Sequence, residues 1–215
     1  MLTIEKARSW YRANDPVHGF DHVLRVTILA ERLARAEGAD VEIVRAAALL
    51  HDARPPGQER PEDLRRRNHH QESAGLAAEV LSADGWPIEK ILAVQHCILA
   101  HRFRDDFTRR STLEAEVLYD ADKLDAIGAV GVARAIAYAL NAGMPFYARP
   151  SPGFVVNGVL DPGEPHSAYH EYLFKLVKIR DRLNTKTAQR WAEERQNRMV
   201  AFFQGLAEES DLEEP

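Results

Sequence analysis

The side chains best suited to chemistry in this chain are histidines and aspartates at three separate places. His51-Asp52 follows the apolar run Ala46-Ala47-Ala48-Leu49-Leu50. A histidine and an aspartate ending a buried helix are costly unless something satisfies them. A divalent cation would satisfy both, and an imidazole with a carboxylate suits manganese, iron, nickel, cobalt or zinc. A partly exposed helix end, with the histidine complementing the macrodipole, is the simpler alternative. His18 and His22 stand four residues apart around Gly19, where one helical turn would put them on one face. Asp120, Asp122 and Asp125 precede an apolar stretch. They either complement a helix N-terminus or lie within a continuous helix, where buried carboxylates need a partner.

Taken together, these pieces resemble the HD superfamily of metal-dependent phosphohydrolases, whose pattern is a His, a His-Asp pair and a distant Asp. Here it reads His22 in DHVLRV, His51-Asp52 in AALLHDA and Asp122 in YDADKLDAIGAVG. The intervals are 29 residues from His22 to His51 and 70 from Asp52 to Asp122. Asp122, directly before Lys123-Leu124-Asp125, fits the last ligand, with Asp120 as the alternative. The likeness extends to the closing HSAYHEYLFKLVKIRDRLNTKTAQRWAEER, which is similar to one bacterial subgroup of nucleotide phosphohydrolases or pyrophosphohydrolases.

The resemblance implies an all-α bundle holding a divalent transition metal on His22, His51, Asp52 and Asp122. It implies a phosphohydrolase that cuts a phosphoester or phosphoanhydride bond of a nucleotide or similar small phosphate with a metal-activated water. His70 and His101 are expected to complete a second metal site or to meet the substrate phosphate. Lys123, Arg25 and Arg134 are candidate phosphate contacts, with structural ion pairs as the alternative for the arginines. Asp21 and Asp125 are candidates for orienting the ligands, and His18 for a general acid or base. His69, His96, His166 and His170 receive no role. The competing functions are a di-iron oxygenase, which needs two metals, and a nucleotide sensor that binds without turnover.

Helices must position these groups. Apolar residues recur at three and four from Phe20 to Glu37. Asp40 is the expected cap of a helix over Val41 to Ala53. Further helices are expected over about 68–82, from Pro87 to about Ala100, and from Leu113 after Thr112. A helix over 126–140, apolar except for Arg134, should run through the middle of the core. Two more are expected over about 166–183 and 185–206. The proline-containing segments 54–67 and 141–165 read as loops, with a short strand possible at 154–160. The aromatics Phe146, Tyr147 and Phe154 either stack on a base or pack the second loop down. The acidic tail 208–215 should fray.

Composition narrows the classes further. The chain has 215 residues and a net charge of −5, enough for one domain with a substantial core. It has no basic excess of the kind general nucleic-acid binding requires. A single cysteine, Cys97, excludes an internal disulfide. No apolar run is long enough to span a membrane. The expectation is a cytoplasmic single all-α domain, compatible with a homodimer.

Overall fold

The structure, a computed structural model, describes residues 2–11, 19–54, 62–101 and 109–211, with side chains omitted over 62–68. Its regular elements are all helical, and the described residues contain no strand. Contacts within the chain group it into two compact units where the sequence reads as one domain. The first is Met1–Asp122 with Asn184–Ala188, and the second is Lys123–Leu183 with Gln189–Pro215. No single helix among the described residues is long and apolar enough to cross a membrane.

The first unit is assembled around its shortest apolar helix. It contains α1 (Ile4–Arg8), α2 (Phe20–Glu37), α3 (Val41–Leu50), α4 (Glu62–Ala83), α5 (Ile88–Ala100) and most of α6 (Leu113–Asp125). The central helix is α3, which packs against α1, α2, α4 and α5. The three alanines at 46–48 are buried, and their small side chains let neighbouring helices approach from several sides. Asp40 caps α3 by accepting from the amides of Glu42 and Ile43 at 2.9 and 3.2 Å. The helix ends at Leu50, three residues before the expected end, so His51-Asp52 lies in the turn beyond it. The expected loop at 54–67 is already helical from Glu62.

Both Asp120 and Asp122 lie inside α6. Asp120 is fully buried and saturated. One of its oxygens accepts from the Asn184 amide and Nδ2, both at 2.9 Å. The other accepts from the Thr185 amide at 2.7 Å and Oγ1 at 2.8 Å. Burial still pushes this carboxyl above its usual range, against those four donors. The donors come from the residues just ahead of α10 (Lys186–Ser210), so Asp120 sets where that helix begins.

The second unit carries α7 (Gly128–Asn141), α8 (Pro152–Asn157), α9 (Ala168–Phe174), two short 3-10 turns and the body of α10 (Lys186–Ser210). Helices α6 and α7 are separate elements. Gly128 there has φ +76°, and a Cβ on Gly131 would lie 2.2 Å from the Ala126 carbonyl oxygen, so both positions require glycine. The expectation of a core helix over 126–140 is corrected. Only Gly128, Gly131, Val132 and Ala139 are buried in α7, and Leu140 is 55% exposed. Apolar composition alone does not place a residue inside.

The 141–165 segment contains a helix rather than the strand considered at 154–160. Ser151 caps α8 by accepting from the Phe154 amide at 3.1 Å, Pro152 starts it and Gly158 ends it. Cap chemistry outweighs the β preference of Val155 and Val156. The expected helix over 166–183 is broken: α9 stops at Phe174, and 3-10 turns at Leu176–Lys178 and Arg180–Arg182 follow. Three-residue turns keep Leu176 and Ile179 on one buried side. Phe154 is buried with its ring 4.4 Å from that of His170, and the Tyr147 ring lies 5.1 Å from that of Tyr169. Both aromatics therefore pack their segment down.

Glu164 anchors that segment. It accepts from the Ser151 amide and Oγ at 2.6 and 2.8 Å, from the Asp161 amide at 2.7 Å and from His170 Nε2 at 3.0 Å. The His170 bond, followed by the Ser151 and Asp161 donors, holds its carboxyl down to about 2. Because the folded value is depressed, the stabilisation is complete above the ordinary carboxylate value of 4.5 and is lost as pH falls towards about 2. Acid unfolding followed by circular dichroism should show this limb, and Glu164→Gln should flatten it while leaving neutral-pH helicity intact. Asp120→Ala strands the donors of Asn184 and Thr185 and should cost about 2–4 kcal/mol in urea unfolding.

Candidate metal centre

His51 occupies the C-cap of α3 with helical backbone angles. Its Nδ1 donates to the Ala48 carbonyl at 2.8 Å. That bond leaves Nε2 as the unprotonated nitrogen of the neutral ring. Nε2 is buried and has no hydrogen-bond partner among the described residues. His101 repeats the arrangement at the C-cap of α5, with Nδ1 donating to the Ile98 carbonyl. In both cases a helix end that would leave carbonyls unpaired instead fixes a histidine tautomer.

The remaining groups converge on these two rings. His22 lies on the buried stripe of α2 and is 1% exposed. Its ring meets that of His51 edge-on at 5.5 Å, and the His51 ring meets that of His101 at 5.4 Å. His22 Nε2 is 3.6 Å from Asp122 Oδ1. Asp52 Oδ2 is 3.5 Å from His51 Nε2, while its Oδ1 is 3.7 Å from His69 Nε2 and 3.9 Å from His101 Nε2. Two groups result, His22–His51–Asp52 and Asp52–His69–His101, each with its ligand atoms within 4.8 Å of one another. Asp52 belongs to both.

These separations exceed hydrogen-bond length. Two atoms that each bind one ion at about 2.1 Å stand roughly 3.0–3.4 Å apart, close to what is seen here. The donor set is imidazole nitrogen and carboxylate oxygen, and the lone pair of the buried His51 Nε2 points at nothing else that would satisfy it. The residues therefore fit a divalent transition metal.

The other candidate residues fall in different places. Asp120 and Asp122 are two residues apart, which turns through about 200° of helix. Asp120 faces Asn184 and Thr185, while Asp122 faces His22. Arg25 Nη1 donates to Asp21 at 2.7 Å on the exposed side of α2, the ion-pair alternative for both. Arg134 Nη1 donates to the buried Asp125 carboxylate at 3.0 Å and to its carbonyl at 3.3 Å. Lys123 is buried. His18 lies outside the described residues. His96 receives Ser111 at the flank of α5, its Nε2 3.3 Å from the amide and 3.1 Å from Oγ. Burial pushes the Cys97 thiol up to about 12, so it offers no thiolate.

Two residues were not found by sequence reasoning. His69, not His70, joins Asp52 and His101, although its ring is only 5.6 Å from that of His70. Helical phase carries the signal. His70 shares the buried face with Ser73, Ala74 and Ala77, whereas His69 sits at the edge of that face and is half-buried. The second is Tyr11, whose hydroxyl donates to the Leu49 carbonyl at 2.9 Å. Burial, and then the Asp52 charge, push this phenol well above its usual range.

Comparison with known proteins agrees with this geometry. The HD domain family model matches residues 19–127. YpgQ of Bacillus subtilis is 32% identical over 209 residues, covering 94% of this chain and 91% of its own. The crystal structure of Bacillus subtilis YpgQ in complex with ADP is similar with a TM-score of 0.72 at 30% identity, covering 98% of this chain and 99% of that one. An HD-superfamily hydrolase from Bacillus thuringiensis gives a TM-score of 0.66 at 26% identity, over 98% and 97% of the two chains. With its His-Asp pair at the end of the central helix and this family match spanning the surrounding helices, the chain belongs to the HD domain family and has the fold of HD-superfamily hydrolases.

Proposed function

We propose that this protein is a divalent-metal-dependent phosphohydrolase acting on a nucleotide or a similar small phosphate. The observation that carries the reading is the buried His51 Nε2, which has no hydrogen-bond partner among the described residues and lies beside Asp52 and His22. His22, His51, Asp52 and Asp122 are the proposed metal ligands. The ADP bound by YpgQ supports a nucleotide as the substrate class.

When bound, the ion supplies Lewis acidity to a phosphoryl oxygen and lowers the pKa of water enough for attack near neutral pH. The chain's own residues do the rest. The back-bonds to Ala48 and Ile98 hold the His51 and His101 rings in one tautomer and orientation. Asp52 and Asp122 bring negative charge that balances a dication. His69 and His101, on the Oδ1 side of Asp52, would orient a phosphate, one of the two roles expected of His70 and His101. Arg25 and Arg134 already serve Asp21 and Asp125 and take no part in this reading.

The shared Asp52 favours a second reading, a two-ion centre on both groups. A di-iron oxygenase requires that stoichiometry. Elemental analysis of metal-reconstituted protein separates the two: one ion per chain is expected, and two would establish the second reading.

Protein loaded with manganese, cobalt or nickel should release phosphate or pyrophosphate from members of a nucleotide panel. No turnover of any phosphorylated compound with any metal would sink the proposal. His51→Ala combined with Asp52→Ala should drop metal content to background, and full occupancy in that variant would remove the ligand assignment. Asp122→Ala should reduce turnover by about a hundredfold or more, reading each ligand as at least as important as the groups that orient it.

A further inference from the structure

The turn that presents His51 and Asp52 has its backbone groups satisfied one by one. The last four carbonyls of a helix lack partners within it. At the end of α3, the Ala48 carbonyl is taken by His51 Nδ1 and the Leu50 carbonyl by the Ala53 amide at 3.1 Å. The Leu49 carbonyl, between them, is taken by the Tyr11 hydroxyl. The hydroxyl thus holds the carbonyl two residues before His51 and three before Asp52. Beyond the turn, the Arg54 amide donates to the Trp10 carbonyl at 3.2 Å and Ser73 Oγ to the Ala53 carbonyl at 2.9 Å.

Tyr11 is itself held in place. It packs with Trp10 and Leu2 against the cluster of Ala7, Phe20, Val23 and Leu49. Its ring lies 5.4 Å from that of Phe20, and its amide donates to the Arg8 carbonyl at 3.1 Å. The phenol therefore reaches the turn from a rigid base. A hydrogen in place of the hydroxyl would keep the packing and leave the Leu49 carbonyl without this donor.

We infer that Tyr11 is a positioning residue for the metal centre: its hydroxyl braces the end of α3 at Leu49 and so sets the placement of the His51 and Asp52 side chains that follow. The inference rests on the metal-centre reading above. It concerns no direct contact with the ion, because Tyr11 acts through the backbone that leads into the two proposed ligands. Groups that orient metal ligands affect affinity by about 10–100-fold when removed. A brace of this kind should fall at the lower end of that range.

The test is the dissociation constant of Mn2+ for the full-length chain, by calorimetry, in wild type, Tyr11→Phe and Phe20→Leu. Tyr11→Phe should raise it about tenfold, while lowering the melting temperature of the metal-free protein by only about 2–4 °C. Phe20→Leu disturbs the ring packing but spares the hydroxyl, so it should lower the melting temperature and leave Mn2+ affinity within twofold. Amide hydrogen exchange should show faster exchange at Ala53, whose amide closes the same turn onto the Leu50 carbonyl, in Tyr11→Phe. Wild-type affinity in Tyr11→Phe overturns the inference, as does an equal loss in Phe20→Leu. A wild-type protein that binds no Mn2+ overturns the metal-centre reading instead.

Discussion

His51 sits where a buried helix runs out of internal hydrogen bonds, and its two ring nitrogens meet opposite fates. Nδ1 closes a carbonyl of its own helix, which commits the ring to one tautomer. Nε2 is then an acceptor beside His22, Asp52 and His101, with no hydrogen-bond partner among the described residues. A protein interior tolerates an unmatched polar atom only at a cost. The arrangement makes sense if that cost supports a ligand. The central place of α3, the ends of α5 and α6 and the brace from Tyr11 all follow from presenting this one nitrogen and its neighbour Asp52.

Helix ends are the recurring device. His51 and His101 are both C-caps, each back-bonded three residues up its own helix. Asp120 instead serves as the acceptor for the residues leading into α10. Its neighbour Asp122, on the opposite side of the same helix, faces His22. The DAD motif thus divides a structural task from a candidate ligand by helical geometry alone. In the second unit the same economy appears at Glu164, where one carboxylate gathers donors from Ser151, Asp161 and His170.

Much of the architecture was legible in the residues. The bounds of α2, the Asp40 cap, the starts at Pro87 and Thr112 and the helical setting of the aspartates all follow from periodicity and cap chemistry. Less legible were features that depend on competition between local preferences. Val155 and Val156 favour a strand, yet Ser151 and Pro152 start a helix there. The alanine-rich α7 reads as a core helix and is largely half-buried or exposed, because small apolar residues accept either environment. The break between α6 and α7 needed the close approach at Gly131, which spacing does not show.

The sequence by itself determined which residue types stand in which order: a histidine, a His-Asp pair and a distant aspartate, each within a helical context. That is local information, carried by motif and periodicity. Only the tertiary structure decided which of two adjacent histidines turns towards Asp52, because His69 and His70 differ by about 100° of helical rotation. It alone showed that Asp120 is already saturated and that Arg25 and Arg134 each pair with a carboxylate. It alone brought Tyr11, about forty residues from Asp52 in the chain, onto the turn that carries the centre. Partner choice is a matter of distance and direction between elements, and no spacing along one chain encodes it directly.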